Sequence, residues 1–310
     1  MRNYRIAALA VAVGGGLAGY AYGQQLGLGG VSLWVILAAL VLEAVLYLTC
    51  GFPMVRQSWP KWALAVSAVV PYLLYTAPLG LAEPSTVVLL AILAAAVVWW
   101  FDLIPERVGA DLLLIAFLAA VYLARTFPAL YPNVHERVPM SILGHLMWVR
   151  LGLVTLLNRN PTGIEFGFLP SAREWRIGAI HFFAFLPAAA AVMILLDYGT
   201  FALTRGWWYK APLGFVGIML LVGASEEILF RGVLQQRLMR WWGQWPGLVA
   251  ASVIFALVHL PFRHFPNWQH VALTFVLGLA LGRAYVAGQG VRASMVAHAL
   301  AVAAGRAIGL

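Results

Sequence analysis

The sequence predicts an all-α protein, a polytopic bundle of about ten or eleven transmembrane helices. Three observations carry this. Of 310 residues, 63% are hydrophobic and only 10% are charged, and the mean hydropathy is +0.88, a balance that no water-exposed surface of this size tolerates. Apolar runs recur at close to the ~20 residues a helix needs to cross ~30 Å of hydrocarbon. The alternating ~10-residue segments of a membrane barrel are absent.

Taken in order, the apolar runs lie at Ile6 to Tyr22, Val31 to Cys50, Trp62 to Leu81, Thr86 to Phe101 and Asp111 to Tyr122. The first follows Arg2 and Arg5 in the manner of a signal peptide. The glycines Gly14 to Gly16 lead into further apolar sequence without a small-residue cleavage site, so a retained helix is expected. Met140 to Leu157 carries His145 and Arg150 and is either a weak span or an interfacial helix.

The segment "NRNPTGIEFGFLPSAREWR", Asn158 to Arg176, is the longest polar stretch and divides the chain into an N-terminal multi-span region, 1–176, and a second region, 177–310. That second region has runs at Ile177 to Leu196, Pro212 to Leu234, Pro246 to Leu260, Trp268 to Val286 and Val291 to Ile308.

Eleven spans with a cytoplasmic N-terminus place Arg56, Lys61, Arg159, Arg173, Arg176, Arg237, Arg240, Arg283 and Arg292 inside, as the positive-inside rule asks. Arg125, Arg137, Arg205, Lys210 and Arg263 fall on the opposite loops. Trp207 and Trp208, and Trp241, Trp242 and Trp245, have the placement of interfacial aromatic belts. The net charge of +9 is dispersed over loops and helix ends, which excludes a nucleic-acid surface; the lipid bilayer is the expected partner. A single cysteine, Cys50, excludes a disulfide framework and a thiolate metal cage.

Ionisable groups inside apolar helices are costly, ~2.5–3.5 kcal/mol on insertion scales, and therefore mark function. Five stand out: Glu226, Glu227, Arg231, His259 and His298. On a helix Glu227 and Arg231 share a face, whereas Glu226 points about 100° away. A lone intramembrane histidine is ordinarily a satisfied core residue, but three helices each offering such a group suggest a common site. A desolvated glutamate as general base with imidazoles to hold water or an oxyanion is one chemistry for this set. A divalent metal such as zinc on Glu226, His259 and His298 is another, and the residue types alone leave the two open. HExxH, a GxSxG elbow and a pair of separated intramembrane aspartates are absent. Glu43, deep in the second run, pairs with an arginine or histidine or else meets substrate.

"EEILFR" (Glu226 to Arg231), "FALVH" (Phe255 to His259) and His298 one span later resemble the EExxxR, FxxxH and Hxxx(N/D) motifs of the CPBP family, intramembrane endopeptidases related to the CAAX prenyl protease type 2 and the bacterial Abi proteins. The resemblance covers about Ile177 to Leu310. It implies an α-bundle enclosing a water-filled cavity open to the cytoplasmic side and to lipid, in a bacterial inner membrane, acting on a membrane-anchored protein or peptide. Carried onto these positions, Glu226 activates water, Glu227 and Arg231 support it, His259 holds the water and His298 helps stabilise the oxyanion.

Where the motif has Asn or Asp this chain has Val302; Ser294, one turn before His298, is the candidate substitute and, with Phe255, a candidate substrate contact. The N-terminal region is similar to accessory multi-span regions of bacterial members that process C-terminal sorting tags. An intramembrane endopeptidase is therefore expected. The alternatives are a non-catalytic scaffold or immunity-type protein keeping the fold, and a proton or cation relay, against which stands the lack of a repeat between the halves.

Overall fold

A computed structural model describes residues 2–49, 60–104, 108–124, 126–159 and 168–310. Cys50, Arg56, Arg125 and most of the polar segment that divides the sequence lie outside the described residues. Two compact units emerge, Met1–Pro161 and Thr162–Leu310. Among the described residues both are helical, and the extended backbone amounts to an isolated bridge between His135 and Val138.

Among the described residues each apolar run of the sequence falls largely on a helix, with the runs to Leu81 and Leu260 outlasting theirs. Seven helices are long and apolar enough to cross a membrane among the described residues: Tyr4–Gln25, Gly30–Thr49, Lys61–Leu79, Pro84–Leu103, Ala172–Leu195, Trp207–Trp242 and Trp268–Gly288. They mark an integral membrane protein. Gly109–Leu123, Ser141–Leu157 and Gln244–Leu257 are apolar but shorter.

The first unit comprises α1 (Arg2–Gln25), α2 (Gly30–Thr49), α3 (Lys61–Thr76), α4 (Pro84–Leu103), α5 (Val108–Leu123), α6 (Thr126–Leu130) and α7 (Ser141–Arg159). Pro84 opens α4, where the missing N–H removes nothing the first turn needs. The helix α7 packs against α2, α3, α4 and α6, and most of its residues from Leu143 to Leu156 are buried. It is an interior helix of this unit, not one lying along an interface.

Its Arg150 explains Glu43. The arginine Nε donates to Glu43 Oε1 at 2.7 Å and Nη1 donates to Ser67 Oγ at 2.7 Å, tying α7 to α2 and α3. Both charged side chains are almost fully buried, 3% and 1% exposed. A pair so desolvated is kept by its geometry, since losing either partner strands the other charge in an apolar interior.

The second unit comprises α8 (Ala172–Leu195), α9 (Trp207–Trp242), α10 (Gln244–Leu257), α11 (Trp268–Gly288) and α12 (Val291–Ala307). A capping box starts α8: Ser171 Oγ accepts from the Glu174 N–H while the Glu174 carboxylate accepts from the Ser171 N–H. The same carboxylate takes Arg292 Nε at 2.7 Å, which fastens α8 to the start of α12. Helices α8, α10 and α12 all pack on α11, and α8 also packs on α12.

Small residues permit the closest crossings. A Cβ on Gly178 of α8 would stand 2.7 Å from the Ala293 carbonyl oxygen, and one on Gly278 of α11 would stand 3.1 Å from Ser252 Cα. Helices without a hydrophobic drive between them associate through such contacts.

The 36 residues of α9 are continuous but not uniform. Two π-helical stretches, Ile218–Val222 and Ile228–Gln235, flank the α-helical Gly223–Glu227. Such wide turns commonly sit at functional positions, and here they bracket the paired glutamates.

Candidate active site

The second unit brings the five ionisable residues singled out by sequence into one cluster. Glu226 and Glu227 lie at the end of the α-helical segment of α9, Arg231 one turn later, His298 midway along α12 and His259 just beyond the end of α10. The apolar run expected to continue to Leu260 leaves the helix at Leu257, and this turn is what carries His259 to the cluster.

Each imidazole has one nitrogen committed. His259 Nδ1 lies 2.7 Å from the Phe255 carbonyl oxygen. A carbonyl only accepts, so Nδ1 carries the hydrogen and Nε2 presents a lone pair. His298 Nδ1 lies 2.8 Å from Glu227 Oε1, in the manner of a carboxylate orienting an imidazole. Its Nε2 is likewise an acceptor in the neutral ring, so in that form it takes hydrogen bonds at this point instead of giving one to an oxyanion.

Both free nitrogens face one atom: Glu226 Oε2 is 3.9 Å from His259 Nε2 and 3.8 Å from His298 Nε2. That oxygen is buried and has no hydrogen-bond donor among the described residues. Gaps of this size are too long for direct hydrogen bonds and suit a single bridging water.

Glu227 and Arg231 are both 0% exposed and pair at 3.4 Å. The guanidinium also lies over the Phe255 ring, 4.4 Å from its centroid, a cation–π contact that gains strength when desolvated. Phe255 meets Phe230, His259 and His298 edge-on at 5.1, 4.8 and 6.0 Å. At 1% exposure it is a platform beneath the imidazoles with no face for substrate. Ser294 is 0% exposed, and its hydroxyl lies 2.8 Å from the Val291 carbonyl oxygen and also within hydrogen-bonding reach of the Glu227 carboxylate. Both residues shape the site from inside its walls.

A tetrahedral zinc site with bonds of about 2.0–2.2 Å needs its donors about 3.3 Å apart. The separations of 3.8 and 3.9 Å are wider, and among the described residues no group of three His, Cys, Asp or Glu side chains has the arrangement to hold a metal ion. The set Glu226, His259 and His298 therefore does not fit zinc as it stands.

Residues 206–304, which contain the whole cluster, match the family model described as type II CAAX prenyl endopeptidase Rce1-like. The second unit carries an Rce1-like domain. A 66-residue stretch is 41% identical to the uncharacterized protein YpbD of Bacillus subtilis (strain 168), covering 20% of this chain and 30% of that protein. The chain thus spans about a third of the length of the curated relative it matches. No solved structure matches.

The second unit also holds residues that sequence reasoning passed over. His270, in the first turn of α11, stacks on Phe262 with centroids 4.2 Å apart, and its ring lies 5.8 Å from that of His259. Tyr198 Oη is 3.1 Å from His270 Nδ1. The signal was available in Asn267, a helix-capping residue three positions earlier, whose Oδ1 accepts from the His270 N–H at 2.9 Å. It places His270 at the start of a helix immediately after the loop that holds His259.

Proposed function

We propose that this protein is an intramembrane endopeptidase hydrolysing a peptide bond of a membrane-anchored protein near that substrate's C-terminus. The reading rests on one observation above all, the convergence of His259 Nε2 and His298 Nε2 on the buried, donorless Oε2 of Glu226. A water bound there gives one hydrogen to Glu226 and the other to an imidazole lone pair, which leaves an oxygen lone pair for the substrate carbonyl.

As the C–O bond forms, Glu226 takes the water proton and the carbonyl electrons move onto oxygen. Collapse of the tetrahedral species breaks the C–N bond, and the proton returns from Glu226 to the departing amine. Glu227 fixes the orientation of His298 and is itself held by Arg231. The imidazole nitrogen that the water does not use accepts a substrate N–H. Among the described residues the donor spacing favours water activation by carboxylate and imidazole over a zinc-bound hydroxide.

Residues 177–310 form the catalytic part on this reading, and 1–176 an accessory membrane region. The inner membrane of a bacterium with a cytoplasmic N-terminus suits the distribution of arginines.

The test uses purified protein in liposomes and a library of lipid-anchored peptides with free C-termini, read by mass spectrometry. Wild type cleaves a subset and Glu226→Gln cleaves none. Cleavage undiminished in Glu226→Gln, or none by wild type, overturns the proposal. Val302, apolar where the motif has Asn or Asp, favours one other reading, a binding protein that keeps the fold. Cellular function unchanged after joint replacement of Glu226, Glu227 and His259 would support it.

A further inference from the structure

Hydrolysis through a tetrahedral intermediate needs a hydrogen-bond donor where the carbonyl oxygen gains charge. The cluster around Glu226 is rich in acceptors and poor in donors. In the neutral rings the hydrogens of His259 and His298 sit on Nδ1, bound to the Phe255 carbonyl and to Glu227. The Ser294 hydroxyl is buried between the Val291 carbonyl and Glu227, and Arg231 is sealed beneath Phe255 at 0% exposure.

The next imidazole outward is His270, with its ring 5.8 Å from that of His259. Its environment fixes it more firmly than packing alone would. Phe262 stacks on one face at 4.2 Å, Asn267 caps its N–H, and Gln269 beside it donates to the Leu196 carbonyl at 2.8 Å. That last bond holds the α8–α9 loop in place, so that the Tyr198 hydroxyl meets His270 Nδ1 at 3.1 Å. When the phenol donates, Nδ1 is the acceptor and the ring hydrogen must sit on Nε2. His259 is arranged the opposite way, with hydrogen on Nδ1 and a lone pair on Nε2.

The geometry points to His270 as the oxyanion donor of this site, a catalytic residue giving its Nε2–H to the substrate carbonyl oxygen, with Tyr198 the positioning residue that sets its tautomer. The inference rests on the endopeptidase reading. It adds that the carbonyl enters between His259 and α11, on the side lined by Phe262.

The experiment uses full-length protein in liposomes and one lipid-anchored peptide that wild type cleaves. His270→Met lacks a donor and His270→Gln retains one, at similar volume. The Met variant lowers kcat by roughly 100-fold or more with KM within about twofold, as for loss of one oxyanion donor in other enzymes. The Gln variant restores most of that loss. Tyr198→Phe lowers kcat roughly 3- to 10-fold, the worth of one neutral hydrogen bond.

Affinity for a phosphinic peptide of the same sequence, a tetrahedral mimic, falls in proportion to kcat/KM in the Met variant. A purely structural role would not produce that proportionality. Equal kcat in wild type and the Met variant, or equal losses in Met and Gln, overturns the assignment. Glu226→Gln is the parallel arm: cleavage persisting there sinks the endopeptidase reading itself, whereas silence there with full activity in His270→Met sinks only the role of His270.

Discussion

Replacing Arg231 by Met should destabilise the second unit severely while barely changing its packed volume. Arg231 and Glu227 are both 0% exposed and stand 3.4 Å apart, so removing the guanidinium leaves the Glu227 carboxyl in an apolar interior with the His298 ring and the Ser294 hydroxyl as its remaining partners. Breaking a buried pair from one side costs about 3–5 kcal/mol. The guanidinium also covers Phe255 at 4.4 Å, a desolvated contact worth about 2 kcal/mol, part of which the methionine thioether recovers.

A net loss of about 3–5 kcal/mol lowers the folded-to-unfolded ratio by roughly two to three and a half orders of magnitude. For a unit of this size it lowers Tm by about 6–20 °C. Glu227→Leu with Arg231→Met removes both charges and should recover most of the stability, because the uncompensated ion is gone. It should not recover activity, because His298 loses the carboxylate that orients it. Thermal unfolding in detergent, followed by tryptophan fluorescence, measures the single and double variants side by side. A single variant melting within about 2 °C of wild type, or a double variant no better than the single, would refute the reasoning.

Arg150→Ala should cost about 3–5 kcal/mol in the first unit, since it strands Glu43, and Arg150→Met with Glu43→Leu should regain most of it in the same melting assay. Gly178→Leu should unfold or rearrange the crossing of α8 and α12, because even a Cβ there meets Val296 Cβ at 2.6 Å; overpacking of this kind costs about 1–3 kcal/mol or more, and an unchanged melting curve counts against the crossing. Phe255→Ala should remove about 3–5 kcal/mol and lower cleavage further by freeing both imidazoles, which a comparison of kcat at temperatures where the variant stays folded would resolve. Cleavage should continue after exhaustive chelation, and loss of activity restored by zinc alone would refute the metal-free site.

The fold was legible because lipid imposes a length on apolar runs, and each run lies largely on a helix among the described residues. Boundaries near prolines were less so. Pro212 reads as a start, yet α9 begins at Trp207 and carries Pro212 as its sixth residue, where the missing N–H takes the i→i−4 donor from the Trp208 carbonyl. At the site, spacing alone brought Glu227 to Arg231. That Glu226 would face two imidazoles at once depends on how α9, α10 and α12 cross, which no local pattern encodes. Phe255 and Ser294 share a face with the histidines, a spacing that suggests substrate contact, whereas both side chains are buried inside that face. His270 was overlooked because one histidine in a first turn, taken alone, differs little from an interfacial residue.

The two wide turns of α9 have a consequence for how this chain can change. Each accommodates one residue more than an ordinary turn would. Deleting one residue between Ile228 and Leu234 would let the backbone tighten into a regular helix with the residues beyond it kept close to their present register, whereas a deletion in a regular stretch of α9 would turn them by roughly 100°. The hydrogen bond from the Gln235 side chain to the Gly282 carbonyl, 3.1 Å, survives the first and is lost in the second. Substitutions along this helix can be judged one side chain at a time, whereas a change in its length outside the wide turns shifts the paired glutamates against the distant packing.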